Sequence, residues 1–262
     1  MTRHDRAART RSPIRRLVAP AIATIVMFAL LCSLGLWQLQ RLHWKEELIA
    51  QVDSRIHATP VAAPGPAAWP KLDLADADFT PVTVTGTFLT DKEALLYMTL
   101  SEPKGPIGGV GWQVFVPLRT EAGWIVYVNR GFVPDQRRDP ATRAEGQPTG
   151  TVSVTGLLRR PERPLHLFGD GMSRDNQWFA REPALFARAA GLPLDEVAPY
   201  SIDADATPNP GGLPQGGETL VVFPNNHLQY VITWFGLALA LVGVFIAYAR
   251  GVLKRDAEDE AP

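Results

Sequence analysis

The residues best suited to chemistry stand at the head of the last apolar stretch, Asn225-Asn226-His227-Leu228-Gln229-Tyr230-Val231-Ile232-Thr233-Trp234. His227, Tyr230 and Trp234 recur at i, i+3 and i+7, so a helix sets an imidazole, a phenol and an indole on one side. A neutral imidazole is a metal ligand as well as a hydrogen-bonding group, and an ionisable residue at the edge of a membrane span points to function. A plainer reading stands beside it. Tyr and Trp at a span's end form an interfacial belt, and His227 can simply hydrogen-bond there. The spacing leaves both open. Gly236, Ala240, Gly243 and Ala247 form a second stripe on the opposite face, which reads as a packing surface. Ala29 and Ser33 offer a matching small pair in the first apolar stretch.

Two membrane spans must position these groups. Leu228 to Ala249 holds no charged residue, and its 22 positions suffice to cross a bilayer core of about 30 Å. Near the N-terminus, Arg3, Arg6, Arg9, Arg11, Arg15 and Arg16 face a single acid, Asp5, and Leu17 to Gln40 is again uncharged. A cleaved signal peptide does not fit, because the apolar run is too long and Leu36-Trp37-Gln38-Leu39-Gln40 offers no small-residue exit. Bulky Leu31 before Cys32 argues against lipidation, nothing beside Arg15-Arg16 supports a twin-arginine signal, and Pro13 leaves little room for an amphipathic presequence. An uncleaved anchor is expected. With Arg250, Lys254 and Arg255 after the second span, the positive-inside tendency puts both termini in the cytoplasm or matrix.

The organisation expected is therefore a basic segment over 1–16, a first span over 17–40, and a helix extension with a Pro- and Ala-rich linker over 41–71. A β-rich outer domain follows over 72–223, then 224–249 with the second span and a tail over 250–262. Trp37 and Trp44 share a face at the first span's exit, with Arg41 between them and His43 beside them. In the outer domain, period-two segments run Val82–Phe88, Leu95–Met98, Trp112–Val116, Trp124–Val128, Val152–Leu158 and Thr219–Val222. They predict an antiparallel sheet or small barrel with minor helix. Val82-Thr-Val-Thr-Gly86 and Val152-Ser-Val-Thr-Gly156 resemble each other and predict equivalent places in that sheet. One helix is expected from Glu182 to Ala190, with Leu185, Phe186 and Ala189 on one face.

Several function classes drop out. Cys32 is the single cysteine, so an internal disulfide, metal delivery through paired thiols and covalent haem attachment are excluded. His166, Ser153 and Ser173 sit in no catalytic arrangement, and Gly108-Gly109-Val110-Gly111 precedes a strand, so it is a turn and not a phosphate cradle. Gly131, closing a strand, is expected at positive φ. Arg130 beside it reads as an ion-pair partner or a carboxylate holder, and Arg137-Arg138 and Arg159-Arg160 read as solvated charges. With a net charge of −1, no nucleic-acid partner is expected.

Asn225-Asn226-His227-Leu228-Gln229-Tyr230 with Thr233-Trp234-Phe235-Gly236-Leu237 resembles the signature of the surfeit-locus family of cytochrome c oxidase assembly factors. Leu34-Gly35-Leu36-Trp37-Gln38, with Arg41 and Trp44-Lys45, resembles that family's first-span exit. Phe79 with Val82–Gly86, Val128–Pro134, and Val152–Gly156 resemble its domain blocks, in the expected order over nearly the full chain. His43 and Glu182 depart from the family's usual residues. The resemblance implies an assembly factor and not an enzyme, in a bacterial inner (plasma) membrane, with the outer domain periplasmic. It implies transient binding of haem a and action on oxidase subunit I, with haem a synthase as a further partner and membrane lipid around the spans. The proposed iron ligand falls on His227. Tyr230 and Trp234 on the same face could then pack on the ring, and Arg41 could pair a propionate. The alternatives are a membrane scaffold that stabilises an oxidase assembly intermediate without haem, and an outer-facing receptor, which the short cytoplasmic ends disfavour.

Overall fold

The computed structural model describes residues 13–162, 176–219 and 225–259. His166, Ser173 and Leu220–Val222 of the expected last strand lie outside the described residues. The chain divides into two compact units, one of Met1–Ala50 with Val222–Pro262 and one of Gln51–Val221.

The first unit is built on two helices, α1 (Pro13–Ile56) and α4 (His227–Asp259). Pro13 opens α1, where its fixed φ suits the helix and its missing N–H is no loss. Both helices are long and apolar enough to cross a membrane. Ile22, Ile25, Val26, Leu239 and Val244 turn outward, an apolar surface that water would not tolerate over such a length and lipid would. Leu31, Gly35, Gln38 and Leu42 of α1 are buried at a spacing near seven residues per two turns.

The second unit is an eight-stranded sheet, β1 (Val61–Ala62), β2 (Pro81–Phe88), β3 (Ala94–Leu100), β4 (Gly109–Thr120), β5 (Ile125–Pro134), β6 (Thr151–Arg159), β7 (Gln177–Trp178) and β8 (Val197–Ala204). Its order is β1-β2-β6-β8-β5-β4-β3-β7, and a further β2–β4 pairing closes five strands into a barrel. Val82 and Val84 of β2, Leu118 of β4, Val126 and Val128 of β5, Leu158 of β6 and Ile202 of β8 fill the inside. The alternate residues Ile125 and Tyr127 pack outward with Phe115 against Phe186 of the short helix α3 (Pro183–Ala189). Because β5 is covered on both sides, Ile125–Val128 is buried at every position, where the expected period-two strand would bury alternate residues.

The two similar segments are neighbours in the barrel. They pair antiparallel with Val82 opposite Gly156, Val84 opposite Val154 and Gly86 opposite Val152. Their glycines do the same work. A Cβ on Gly86 would overlap the Arg119 carbonyl and one on Gly156 the Asp203 carbonyl, so each glycine lets the next strand close onto its own. Gly131, at φ 121°, is positive as expected, and a side chain there would run into the Gln215 carbonyl.

Several expectations change here. The stretch 57–71 is no free linker: β1 pairs parallel with β2, and Pro64 O accepts both Trp69 Nε1–H at 2.8 Å and the Tyr200 hydroxyl at 2.7 Å. β8 was not among the expected strands, because Pro199, Ser201 and Asp203 break up its pattern. In α3, Phe186 and Ala187 are buried and Ala189 is exposed. A second, one-turn helix, α2 (Leu74–Ala77), is capped by the Asp73 carboxylate.

Candidate functional site

His227 is the first residue of α4. Its Nδ1 lies 2.8 Å from Gln38 Oε1 on α1. Trp234, two turns on, is half-buried on the same side of α4, and Ala238 beyond it is only 2% exposed. Phe235 lays its ring edge on Gly35, where an added Cβ would come within 2.9 Å of the ring carbons. This reverses the expected packing. Gly236 and Gly243 have nothing within 4 Å of where a Cβ would be, and Ala240 and Ala247 are exposed. Ser33 is exposed too and returns its hydroxyl to Ala29 O at 2.8 Å. The small residue that allows close approach belongs to α1, and the helices meet through the polar and aromatic side of α4. In an apolar medium, unpartnered polar groups cost more than a smooth surface gains, so the face carrying His227 turns inward.

Of the residues singled out above, the structure gathers His227 and Trp234. Tyr230, a turn after His227, is 51% exposed, and Arg41 is exposed with its guanidinium 4.1 Å from the centre of the Trp44 ring. His43 is exposed. Two buried polar atoms near His227 in sequence, Trp234 Nε1 and Asn225 Oδ1, have no hydrogen-bond partner among the described residues. Buried polar atoms are nearly always satisfied, so an open donor and an open acceptor in this stretch stand out. In the sequence Gln38 stands out only as part of the first-span motif, with no role of its own; a further signal is an amide in a mostly apolar span, on the face opposite exposed Gln40.

In the barrel, Asp203 is a hub and was missed in the sequence reading. At 2% exposure it accepts from Asn129 Nδ2 at 3.0 Å, Arg181 Nη1 at 3.1 Å, Arg159 Nη1 at 3.3 Å and Thr219 Oγ1 at 3.0 Å. Arg159 is therefore no solvated charge; it also reaches Asp78 at 3.1 Å. Arg160 shares Asp78, and Arg138 stacks on Trp112. Arg130 is buried with neutral partners, Gly146 O at 2.8 Å and Asn209 Oδ1 at 2.6 Å. Burial first and the neighbouring Arg143 next push its pKa down to about 10, against the pull of Glu93. Glu93 pairs with Arg143 at 2.6 Å. Desolvation holds its carboxyl above the ordinary range in spite of that partner. These clusters brace loops against the barrel. Among the described residues, no group of three or more His, Cys, Asp or Glu is placed to hold a metal ion.

Two helices long and apolar enough to cross a membrane, one before and one after a small closed β-barrel in the chain, define the class: a membrane protein with a β-barrel domain between its spans. Residues 25–239 match the model of the SURF1 family. A SURF1-like protein of Monosiga brevicollis is 35% identical over 226 residues, covering 83% of each chain. Surfeit locus protein 1 of Homo sapiens is 36% identical over 221 residues, 79% of this chain and 70% of that one. The same protein of Gallus gallus is 34% identical over 232 residues, 84% and 72% of the two chains. The chain belongs to the SURF1 family, a family of cytochrome c oxidase assembly factors.

Proposed function

We propose that this chain receives haem a at the head of α4 and presents it to subunit I of cytochrome c oxidase, as a carrier and not a catalyst. The observation that carries the reading is the inward-turned imidazole of His227, held to Gln38, in a stretch that also holds two buried polar atoms without a partner among the described residues, Trp234 Nε1 and Asn225 Oδ1. The donor set suits the cargo. A neutral imidazole is a common axial ligand of haem iron, and an indole supplies a flat apolar face with one hydrogen-bond donor. His227 would ligate the iron, Trp234 and Tyr230 would flank the macrocycle, and Arg41 would turn from Trp44 to a propionate. In this reading both termini are cytoplasmic, the barrel is periplasmic and the membrane is a bacterial inner membrane. Haem a synthase is then the donor.

The test is the full-length protein purified from cells that make haem a. The unmodified chain should carry haem, and His227→Ala, matched for expression and membrane insertion, should lose it. Tyr230→Phe should do less. Haem retained at full stoichiometry with an unchanged Soret band in His227→Ala removes His227 as the ligand. Absence of haem from the unmodified chain leaves a scaffold that stabilises an assembly intermediate.

A further inference from the structure

Gln38 lies 189 residues before His227, and its side chain is 91% hidden inside an otherwise apolar span. An amide in that setting is costly unless its polar atoms are met. Its Oε1 is met by His227 Nδ1 at 2.8 Å. With Oε1 as the atom facing the ring, the carbonyl accepts and Nδ1 carries the proton, so that in the neutral ring Nε2 is the unprotonated nitrogen with a free lone pair. Metal-bound histidines are fixed in this way, the second ring nitrogen donating to an oxygen that sets tautomer and ring direction.

We propose that Gln38 is the positioning residue of the His227 site: it selects the Nδ1–H tautomer, fixes the imidazole plane and so leaves Nε2 as the ligating atom. The inference rests on the haem-carrier reading for the identity of the ligand, and on the Gln38–His227 contact alone for the tautomer. A consequence follows from where the two residues sit. The acceptor belongs to the first span and the ligand to the second, so the ligating nitrogen is set only when the spans are paired. A chain whose helices have separated presents an imidazole free to take either tautomer and any direction, and holds haem poorly.

Two measurements decide it. In the apo, full-length protein in lipid nanodiscs, the nitrogen shifts of 15N-histidine-labelled protein, with His227 assigned by its loss in His227→Ala, report the tautomer. The expected result is Nδ1–H; an Nε2–H ring overturns the proposal whatever binds there. In protein loaded with ferric protohaem, Gln38→Leu should release haem faster by about tenfold or more, as loss of such an outer partner commonly does. Gln38→Glu should keep haem and move its midpoint potential negative, because a carboxylate acceptor makes the imidazole a stronger donor. A side chain that merely glues two helices would alter their crosslinking and leave the potential alone. Unchanged release in Gln38→Leu and an unchanged potential in Gln38→Glu, with His227→Ala losing haem, overturn the positioning role. Haem retained in His227→Ala instead removes His227 as the ligand, and absence of haem from the unmodified chain overturns the carrier reading; in either case the apo tautomer still decides the contact.

Discussion

At the scale of single residues, Asp203 and Arg130 show why burial alone does not tell what a charge is for. Asp203 is matched on every side, by two guanidiniums, an amide and a hydroxyl. Replacing it with leucine leaves Arg159 with Asp78 and Arg181 with only the longer Glu162 contact at 3.9 Å, the two side chains being 11% and 5% exposed. Breaking a buried ion pair by removing one member typically costs about 3–5 kcal/mol. We therefore expect Asp203→Leu to lower the stability of the barrel by about that much, read from denaturant-induced change in tryptophan fluorescence, with Asp203→Asn intermediate. A change below about 1 kcal/mol would show the hub to be dispensable. Arg130 is the converse, a buried cation held by a carbonyl and an amide oxygen. The strand pattern made Arg130 visible in the sequence but not its partners, since Gly146 and Asn209 come from loops with no periodicity. Asp203 was hidden for a related reason: its partners lie 74 residues before it at Asn129 and 16 after it at Thr219.

At the scale of elements, most strands were legible because a barrel imposes inside-outside alternation, whereas the repeated Val-x-Val-Thr-Gly segments, expected at equivalent places in the sheet, turn out to pair with each other. The faces of α4 were legible too, but not which one meets α1. A helical wheel separates a smooth stripe from a polar one and carries no information on the partner. The structure resolves it through Gly35, whose missing side chain receives the Phe235 ring. Gly35→Leu should thus force the helices apart, and disulfide crosslinking between cysteines placed on the two spans should fall sharply. Gly243→Leu, open on its own side, should leave crosslinking as it was. The opposite ranking would restore the small-residue stripe as the interface. The site divides the same way. That His227 and Trp234 share a face of α4 was legible from spacing, whereas the contact of Gln38 with His227 needed the second helix to be seen.

At the scale of the whole molecule, the distribution of charge decides how the chain threads the membrane. Six arginines stand before the first span, and Arg250, Lys254 and Arg255 follow the second. Moving arginine or lysine across the bilayer is strongly disfavoured, and the bias is read over the residues flanking each span and not over a long intervening domain. The segment between the spans is far too long for its own charge to count, so the flanks govern. Both point the same way, so we expect the two ends to share the cytoplasmic side and the barrel strands, which run between residues 81 and 204, to lie on the other. The same orientation puts the start of α4, with His227, at the outer end of its span, where an apolar ring can stay in lipid with polar edges in water. A periplasm-dependent phosphatase fused within 60–219 should be active, and fused after residue 262 it should be silent. Removing the basic residues on both flanks together should weaken that preference, because no other feature of the chain sets it. Phosphatase activity at residue 262 in the unmodified chain would put His227 at the inner face, and the carrier reading would then need a cytoplasmic route for the haem.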